Sequence, residues 1–275
     1  MSDAMILAAG RMPKITCIIP AYDEEERIAR VLRVVADHPW ISEIIVVVEG
    51  TDNTAAVART FKRVRLLDLG GKRLGKSHAV MKGLEAARHD IIVMLDADLL
   101  GLTRDNLSAL MLPVLSGEVD VTMSLRRNSL LLFRAIGVDF VTGERVFRKE
   151  VLGDYQRLAT HPGYGLEVFF NQEIIDHRRR MFVVYWRNVR SVRVEEKYGF
   201  FHGLWLEWAH FREGYATLSL GTFLHQVWSL HTNSTHSGKR MAARRNKRMS
   251  GNHVPRARRV ATEVRALAER EGGSV

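Results

Sequence analysis

Ile91–Gly101 reads I-I-V-M-L-D-A-D-L-L-G, and the fold turns on how that stretch is read. Ile91–Leu95 is a short continuous apolar run, the pattern of a strand covered on both faces. Asp96 and Asp98 stand where that strand would end, and on an extended backbone they point the same way. Two neighbouring carboxylates repel unless a positive charge lies between them. A hard divalent cation with oxygen ligands meets that need. An isolated D-x-D is more simply a loop cap beside a solvated acid. Its place at the end of an apolar strand is what points to a metal.

The segments before it follow one rhythm. Lys14–Pro20 (K-I-T-C-I-I-P) reads as a first strand. Asp23 then suits an N-cap, with Glu26 at the third helical position and Ile28, Val31, Leu32 and Val35 at helical spacing. Ile44–Val48 is a second strand, closed by the polar turn Glu49–Thr54 and followed by a helix through Ala55–Thr60. Val64–Leu67 is a third strand. Gly70–Ser77 (G-G-K-R-L-G-K-S) is a glycine-rich basic loop, and Ala79, Val80, Leu84 and Ala87 mark one face of the next helix. Strand and helix alternating with short loops predict an α/β fold with a mostly parallel central sheet flanked by crossover helices. Ligands in such sheets bind beyond the carboxyl ends of the strands. Asp23, Glu49, Asp52, Lys76, Asp96 and Asp98 all fall there. The Gly70–Ser77 string also matches a P-loop. A P-loop, however, directly follows the first strand of its fold, and this loop follows the third.

Further on, Leu107–Leu115 reads as a helix and Asp120–Leu125 as a strand. Asn128–Gly143 is mixed. A turn at His161–Gly165 leads into a helix with Glu167 in its first turn. Met181–Tyr185 and Val189–Val194 read as strands, and Phe200, Phe201, Trp205 and Trp208 form an aromatic segment. The apolar signal weakens after residue 236. This divides the chain into a catalytic domain, 14–236, and a basic tail, 237–275, with a possible terminal helix at Val260–Arg270.

The net charge is +10, and the tail alone carries eleven Lys/Arg against three Glu. The basic character therefore says little about what the body binds. The tail lacks a zinc pattern and aromatic stacking platforms, so any nucleic-acid contact there is expected to be non-specific. Basic charge next to aromatics suits a protein that visits anionic lipid, or an internal or dimer contact. The single cysteine, Cys17, lies in an apolar run and suits a buried thiol in a reducing cytoplasm. Neither a signal peptide nor a membrane span is expected. The predicted location is cytoplasmic, with peripheral contact at the inner membrane face.

Taken in order, these motifs resemble the inverting GT-A glycosyltransferases of family 2, especially the dolichol-phosphate mannose synthase branch. The matching residues are Ile18–Glu25, Val47–Thr54, Gly75–Ala79, Asp96-Ala97-Asp98, Gly143-Glu144-Arg145 and Gly163–Glu167. The likeness covers roughly 14–203. The family usually has an aspartate where this chain has Glu49, and often a second acid at Gly50. In relatives an aspartate often follows the residue matched by Glu167; here it is Val168. The resemblance implies a UDP- or GDP-hexose donor, Mg2+ or Mn2+, and an acceptor that in relatives is often polyprenyl phosphate. A partial likeness to glucosyl-3-phosphoglycerate synthases, through Gly163–Glu167, implies instead a retaining transfer to a small phosphorylated acid. An inactive sugar-nucleotide binding module is the reading from another class.

Asp98 is the expected direct metal ligand, with Asp96 on the ribose or a metal-bound water. Pro20, Ala21, Ala97, Tyr22 and Glu24 would frame the donor, with Tyr22 packed on the base. Glu49 and Asp52 would read base or ribose. Lys76, with Lys72 or Arg73 near it, would approach the diphosphate. Glu167 is the candidate general base. Arg145, Arg193 and Lys197 are candidates for an acceptor phosphate. His225, or alternatively His202, would be a third metal ligand, against the simpler role of a packed histidine.

Overall fold

The computed structural model describes residues 14–129, 131–160, 165–192 and 220–236. The strands are β1 (Ile15–Tyr22), β2 (Ile41–Glu49), β3 (Val64–Asp68), β4 (Ile91–Met94), β5 (Leu99–Leu100), β6 (Val121–Arg126), β7 (Arg145–Arg148), β8 (Met181–Trp186), β9 (Arg190–Ser191) and β10 (Ser234–His236). The α-helices are α1 (Ile28–Ala36), α2 (Thr54–Arg59), α3 (Lys76–Ala86), α4 (Arg104–Leu115), α5 (Leu131–Ile136), α6 (Gly165–Asp176) and α7 (Leu220–Asn233). Eight strands form one sheet in the order β10-β8-β6-β7-β4-β1-β2-β3. Every neighbouring pair is parallel except those of β7, which runs antiparallel to both β4 and β6. β5 and β9 form a separate antiparallel pair. This is the α/β fold with a mostly parallel sheet that the alternation predicts.

Both faces of the sheet are covered because the strand residues alternate between two cores. Ile15, Cys17, Ile19, Ile44, Val46 and Val93 pack with Val31 and Leu32 of α1 and Leu107 and Leu110 of α4. Ile18, Ile45, Val47, Ile92 and Met94 pack with Val80 and Leu84 of α3 and Leu166 and Phe170 of α6. Asp96, just past the end of β4, lies beside Lys76 at the start of α3, on the face that α3 covers. Cys17 is fully buried, and burial pushes its thiol far above the ordinary range.

Three local expectations are corrected. The first helix starts at Ile28 with Arg27 as N-cap, so neither Asp23 nor Glu26 caps it. Asp23 instead adopts φ +51°, which Asp tolerates, and its Oδ1 accepts from Thr51 N–H at 3.2 Å. The Asn128–Gly143 stretch contains α5 and leads into β7, a strand that the sequence reading passed over. β4 ends at Met94, and Asp96-Ala97-Asp98 lies in a turn rather than an extension of the strand.

The tail 237–275, the aromatic segment 200–208, His202, Arg193 and Lys197 lie outside the described residues. Among the described residues, no helix is long and apolar enough to cross a membrane.

Candidate active site at the carboxyl edge of the sheet

The parallel strands β1, β2, β4 and β6 end at Tyr22, Glu49, Met94 and Arg126. Antiparallel β7 starts at this same edge, where Arg145 is paired with both Met94 and Met123. This part of the edge therefore brings together the ends of those four strands, the start of β7, and the first turns of α3 and α6.

Lys76, the first residue of α3, ties the edge together. Its Nζ lies 2.8 Å from Asp96 Oδ1 and 3.1 Å from Glu167 Oε1. Arg126 approaches Asp96 from the other side, at 3.5 Å, and pairs with Glu144 at 3.0 Å and Asp139 at 3.8 Å. Burial would raise the Asp96 carboxyl, but Lys76 and Arg126 outweigh it and hold Asp96 well below the usual range. The same carboxylates keep Lys76 and Arg126 firmly protonated despite desolvation. Glu144 is wholly buried and accepts from the hydroxyls of Ser124 and Thr142. Burial, with Asp96 close by, pushes its carboxyl up to about 6 even beside Arg126.

Arg145 is only 1% exposed. Its guanidinium donates to the carbonyls of Thr142 and Phe140 and stacks on Phe170, so it supports the loop that carries Gly143. Asn171 donates to the same Phe140 carbonyl. Among the described residues, one buried nitrogen of Arg145, Nη1, has no hydrogen-bond partner, and neither does Glu167 Oε2.

The donor-side residues gather at the ends of β1 and β2. Arg73 lies over the Tyr22 ring at 4.8 Å. Pro20 and Ala21 close β1, and Glu24 is buried with its backbone N–H on Thr54. Asp52 accepts from the backbone N–H of Thr54 and of Glu25. Burial works against its charge, yet those hydrogen bonds lower its carboxyl. Glu49 is turned toward the lysine loop, where it accepts from Gly75 N–H at 2.8 Å.

Among the described residues, no group of three or more His, Cys, Asp or Glu side chains is placed to hold a metal. His225 accordingly does not join Asp96 and Asp98. It is exposed on α7, with Nε2 3.5 Å from Ser229 Oγ. Mg2+ and Mn2+ need no complete protein cage, because they take one or two carboxylates and complete their shell with phosphate oxygens and water. Asp98, which is nearly buried, and Asp96 beside it fit that chemistry.

Arg126 and Asp139 are candidate site residues that sequence reading missed, and Glu144 enters it only as part of the segment Gly143-Glu144-Arg145, with no role of its own. Arg126 had one usable signal, its position at the carboxyl end of a strand. Glu144 and Asp139 meet Arg126 only because β7 is inserted between β4 and β6.

Comparisons with known proteins agree with this architecture. 4,4'-Diaponeurosporenoate glycosyltransferase of Staphylococcus aureus (strain MRSA252) is 38% identical over 100 residues, which cover 35% of this chain and 27% of that protein. The chain thus spans about a quarter of the length of that curated relative. Among solved structures, glucosyl-3-phosphoglycerate synthase from Mycobacterium tuberculosis with Mn2+, UDP and phosphoglyceric acid superposes with a TM-score of 0.62 at 22% identity, covering 82% of this chain and 83% of that one. The same enzyme with Mn2+ and UDP-glucose gives a TM-score of 0.57 at 22% identity over 80% of this chain and 86% of that one. These likenesses show the fold. The family described as Glycosyl transferase family 2 matches residues 16–189, more than half of the chain, and the chain belongs to that family.

Proposed function

We propose that this chain is a glycosyltransferase that moves a hexose from a nucleoside diphosphate sugar to a phosphate-bearing acceptor, with a divalent cation. The observation that carries this reading is the convergence of Lys76, Asp96 and Glu167 at the carboxyl edge of the sheet. Open α/β sheets bind ligands at that edge, and a lysine there suits a diphosphate. Family membership supports group transfer from a sugar donor.

Each residue then has a task. Tyr22 would carry the base once Arg73 moves aside or sandwiches it, with Pro20, Ala21, Ala97, Glu24 and Asp52 framing the ribose. Lys76 would exchange part of its pairing with Asp96 for the donor's phosphates. Asp98 would hold Mg2+ or Mn2+ directly, with Asp96 beside it. When bound, that cation offsets the charge that builds on the departing diphosphate. Glu167 keeps one oxygen on Lys76 and has a second, buried and without a partner among the described residues, that would take a proton from an acceptor hydroxyl. Arg145, Arg193 and Lys197 remain the proposed acceptor-phosphate residues, with Arg126 added. Of these, Arg145 would offer its unused Nη1.

A small phosphorylated acid is the favoured acceptor. The fold neighbour named above is a glucosyl-3-phosphoglycerate synthase, seen there with Mn2+ and UDP or UDP-glucose. A polyprenyl phosphate draws its support from the basic tail and from Trp228, 70% exposed on α7. The deciding experiment incubates the full chain with UDP-glucose or GDP-mannose and Mn2+, and with 3-phosphoglycerate or a short polyprenyl phosphate. Transfer to phosphoglycerate is expected, and the anomeric configuration of the product settles retention against inversion. Transfer to the lipid alone would replace the favoured acceptor. If neither donor is bound or turned over, the donor assignment is wrong.

A further inference from the structure

α3 begins without a side-chain cap. Its N-cap residue, Gly75, has φ +95°, a conformation that side-chain-bearing residues rarely adopt. A helix start leaves N–H groups unpaired and favours negative charge nearby. Glu49 supplies both the acceptor and the charge from a distant part of the chain. It is 3% exposed at the end of β2, and its Oε2 takes the Gly75 N–H at 2.8 Å. β2 is paired with β1 as far as Glu49 and with β3 over Ile44–Val48, so the anchor point is held by the sheet. The other oxygen, Oε1, lies 3.9 Å from Nδ1 of His78 in the first turn of α3, and neither atom has a hydrogen-bond partner among the described residues.

We infer that Glu49 is a positioning residue for Lys76, clamping the start of α3 to the end of β2 so that the ammonium stays within reach of Asp96, Glu167 and the donor's phosphates. This rests on the reading of Lys76 as the diphosphate cation. It gives Glu49 a different role from direct recognition of the base. A carboxylate committed to Gly75 acts on the phosphate end of the nucleotide through the loop. A carboxylate that reads the base acts on the nucleoside wherever the loop lies.

Side-chain length makes the clamp testable. An aspartate keeps the charge but is shorter by one carbon–carbon bond, about 1.5 Å. That opens the contact to Gly75 beyond hydrogen-bonding distance. Glutamine keeps the reach and one acceptor oxygen. The wild-type chain, Glu49→Asp, Glu49→Ala and Glu49→Gln are titrated with uridine and with UDP in the presence of Mn2+. Backbone hydrogen exchange is followed over residues 70–78 and over β2. Glu49→Asp and Glu49→Ala should bind UDP about tenfold more weakly, with uridine affinity changing by less than about twofold. Glu49→Gln should recover UDP binding to within about threefold. Amides of 70–78 should exchange faster in the Asp and Ala variants while β2 stays protected. Equal losses for uridine and UDP, or unchanged exchange over 70–78, would overturn the inference. If the wild-type chain binds neither uridine nor UDP, the donor reading has failed, and the exchange measurement alone decides whether the clamp exists.

Discussion

At Gly143 the backbone passes so close to the ion pair of the site that a single carbon has no room. A Cβ built there would lie 2.3 Å from Asp96 Oδ1 and 2.6 Å from Lys76 Nζ. Both belong to the proposed site, and the conflict would be relieved by parting Lys76 from Asp96 or by moving the loop that Arg145 supports. Gly143→Ala is therefore expected to lower kcat/KM for the donor by about 100-fold, the scale of a misplacement near 1 Å. Melting should show the fold retained, and an unchanged kcat/KM would mean the pair is not used as arranged here. Asp98→Asn is the matching test of the metal. It keeps shape and removes charge, and turnover should fall to background at all Mn2+ concentrations with an intact fold. Turnover equal to wild type would remove Asp98 from the metal. Most of these positions could be read from the sequence, because Asp96, Asp98, Lys76 and Glu167 each stand beside a strand end or in a helix's first turn. The partners of Asp96 could not be read. Lys76 is twenty residues from Asp96, Arg126 thirty, and only the folded sheet brings them together.

Among the elements, parallel strands and crossover helices were legible because each carries its own apolar period. β7 was not. Its four residues, Arg145–Arg148, include two arginines, and it is an antiparallel insertion among parallel strands, so no local pattern announces it. The sequence also placed the first helix start too early. A run of acids at 23–26 looks like a helix N-terminus, but Asp23 and Glu25 are spent on the backbone N–H groups of Thr51 and Asn53. A second junction, far from the site, has a consequence that can be measured. His38, 1% exposed between α1 and β2, accepts Trp40 N–H on Nδ1 and pairs through Nε2 with Ser108 on α4. Nδ1 accepts, so the proton sits on Nε2 and donates to Ser108. Burial, then the nearby Arg104 charge, pulls the imidazole down to about 4 from its ordinary 6.5. Between those values the unfolded chain binds a proton that the folded chain refuses. Stability present above pH 6.5 is therefore lost as the pH falls toward 4, by at most about 3 kcal/mol. Urea unfolding at pH 7 and at pH 5 should show a smaller pH dependence in His38→Gln than in the wild-type chain. The carboxylates that also lose stabilisation in acid cancel in that difference. Identical pH dependence would show that His38 is not the buried neutral group described here.

For the whole molecule, the site is built from both halves of the described chain. β1 to β4 bring the donor-side residues, while β6, β7 and α6 bring Arg126, Arg145 and Glu167. A ligand held across that edge stabilises all of these elements at once, since it binds the folded chain and not the unfolded one. Such a ligand at 100 times its dissociation constant adds about 2.7 kcal/mol. For a folded body of roughly 200 residues, each kcal/mol moves Tm by about 2–4 °C. UDP with Mn2+ at that excess should accordingly raise Tm by about 5–10 °C. Adding EDTA should remove most of the shift if, as proposed, Asp98 holds the cation that meets the diphosphate. In Asp98→Asn, UDP should give the small shift seen with EDTA whether or not Mn2+ is present. In the wild-type chain, a shift that survives EDTA in full would show that nucleotide binding here runs through Lys76 and Arg126 without a metal. The absence of any shift with UDP, together with a clear one for GDP, would move the base assignment and leave the metal reasoning in place.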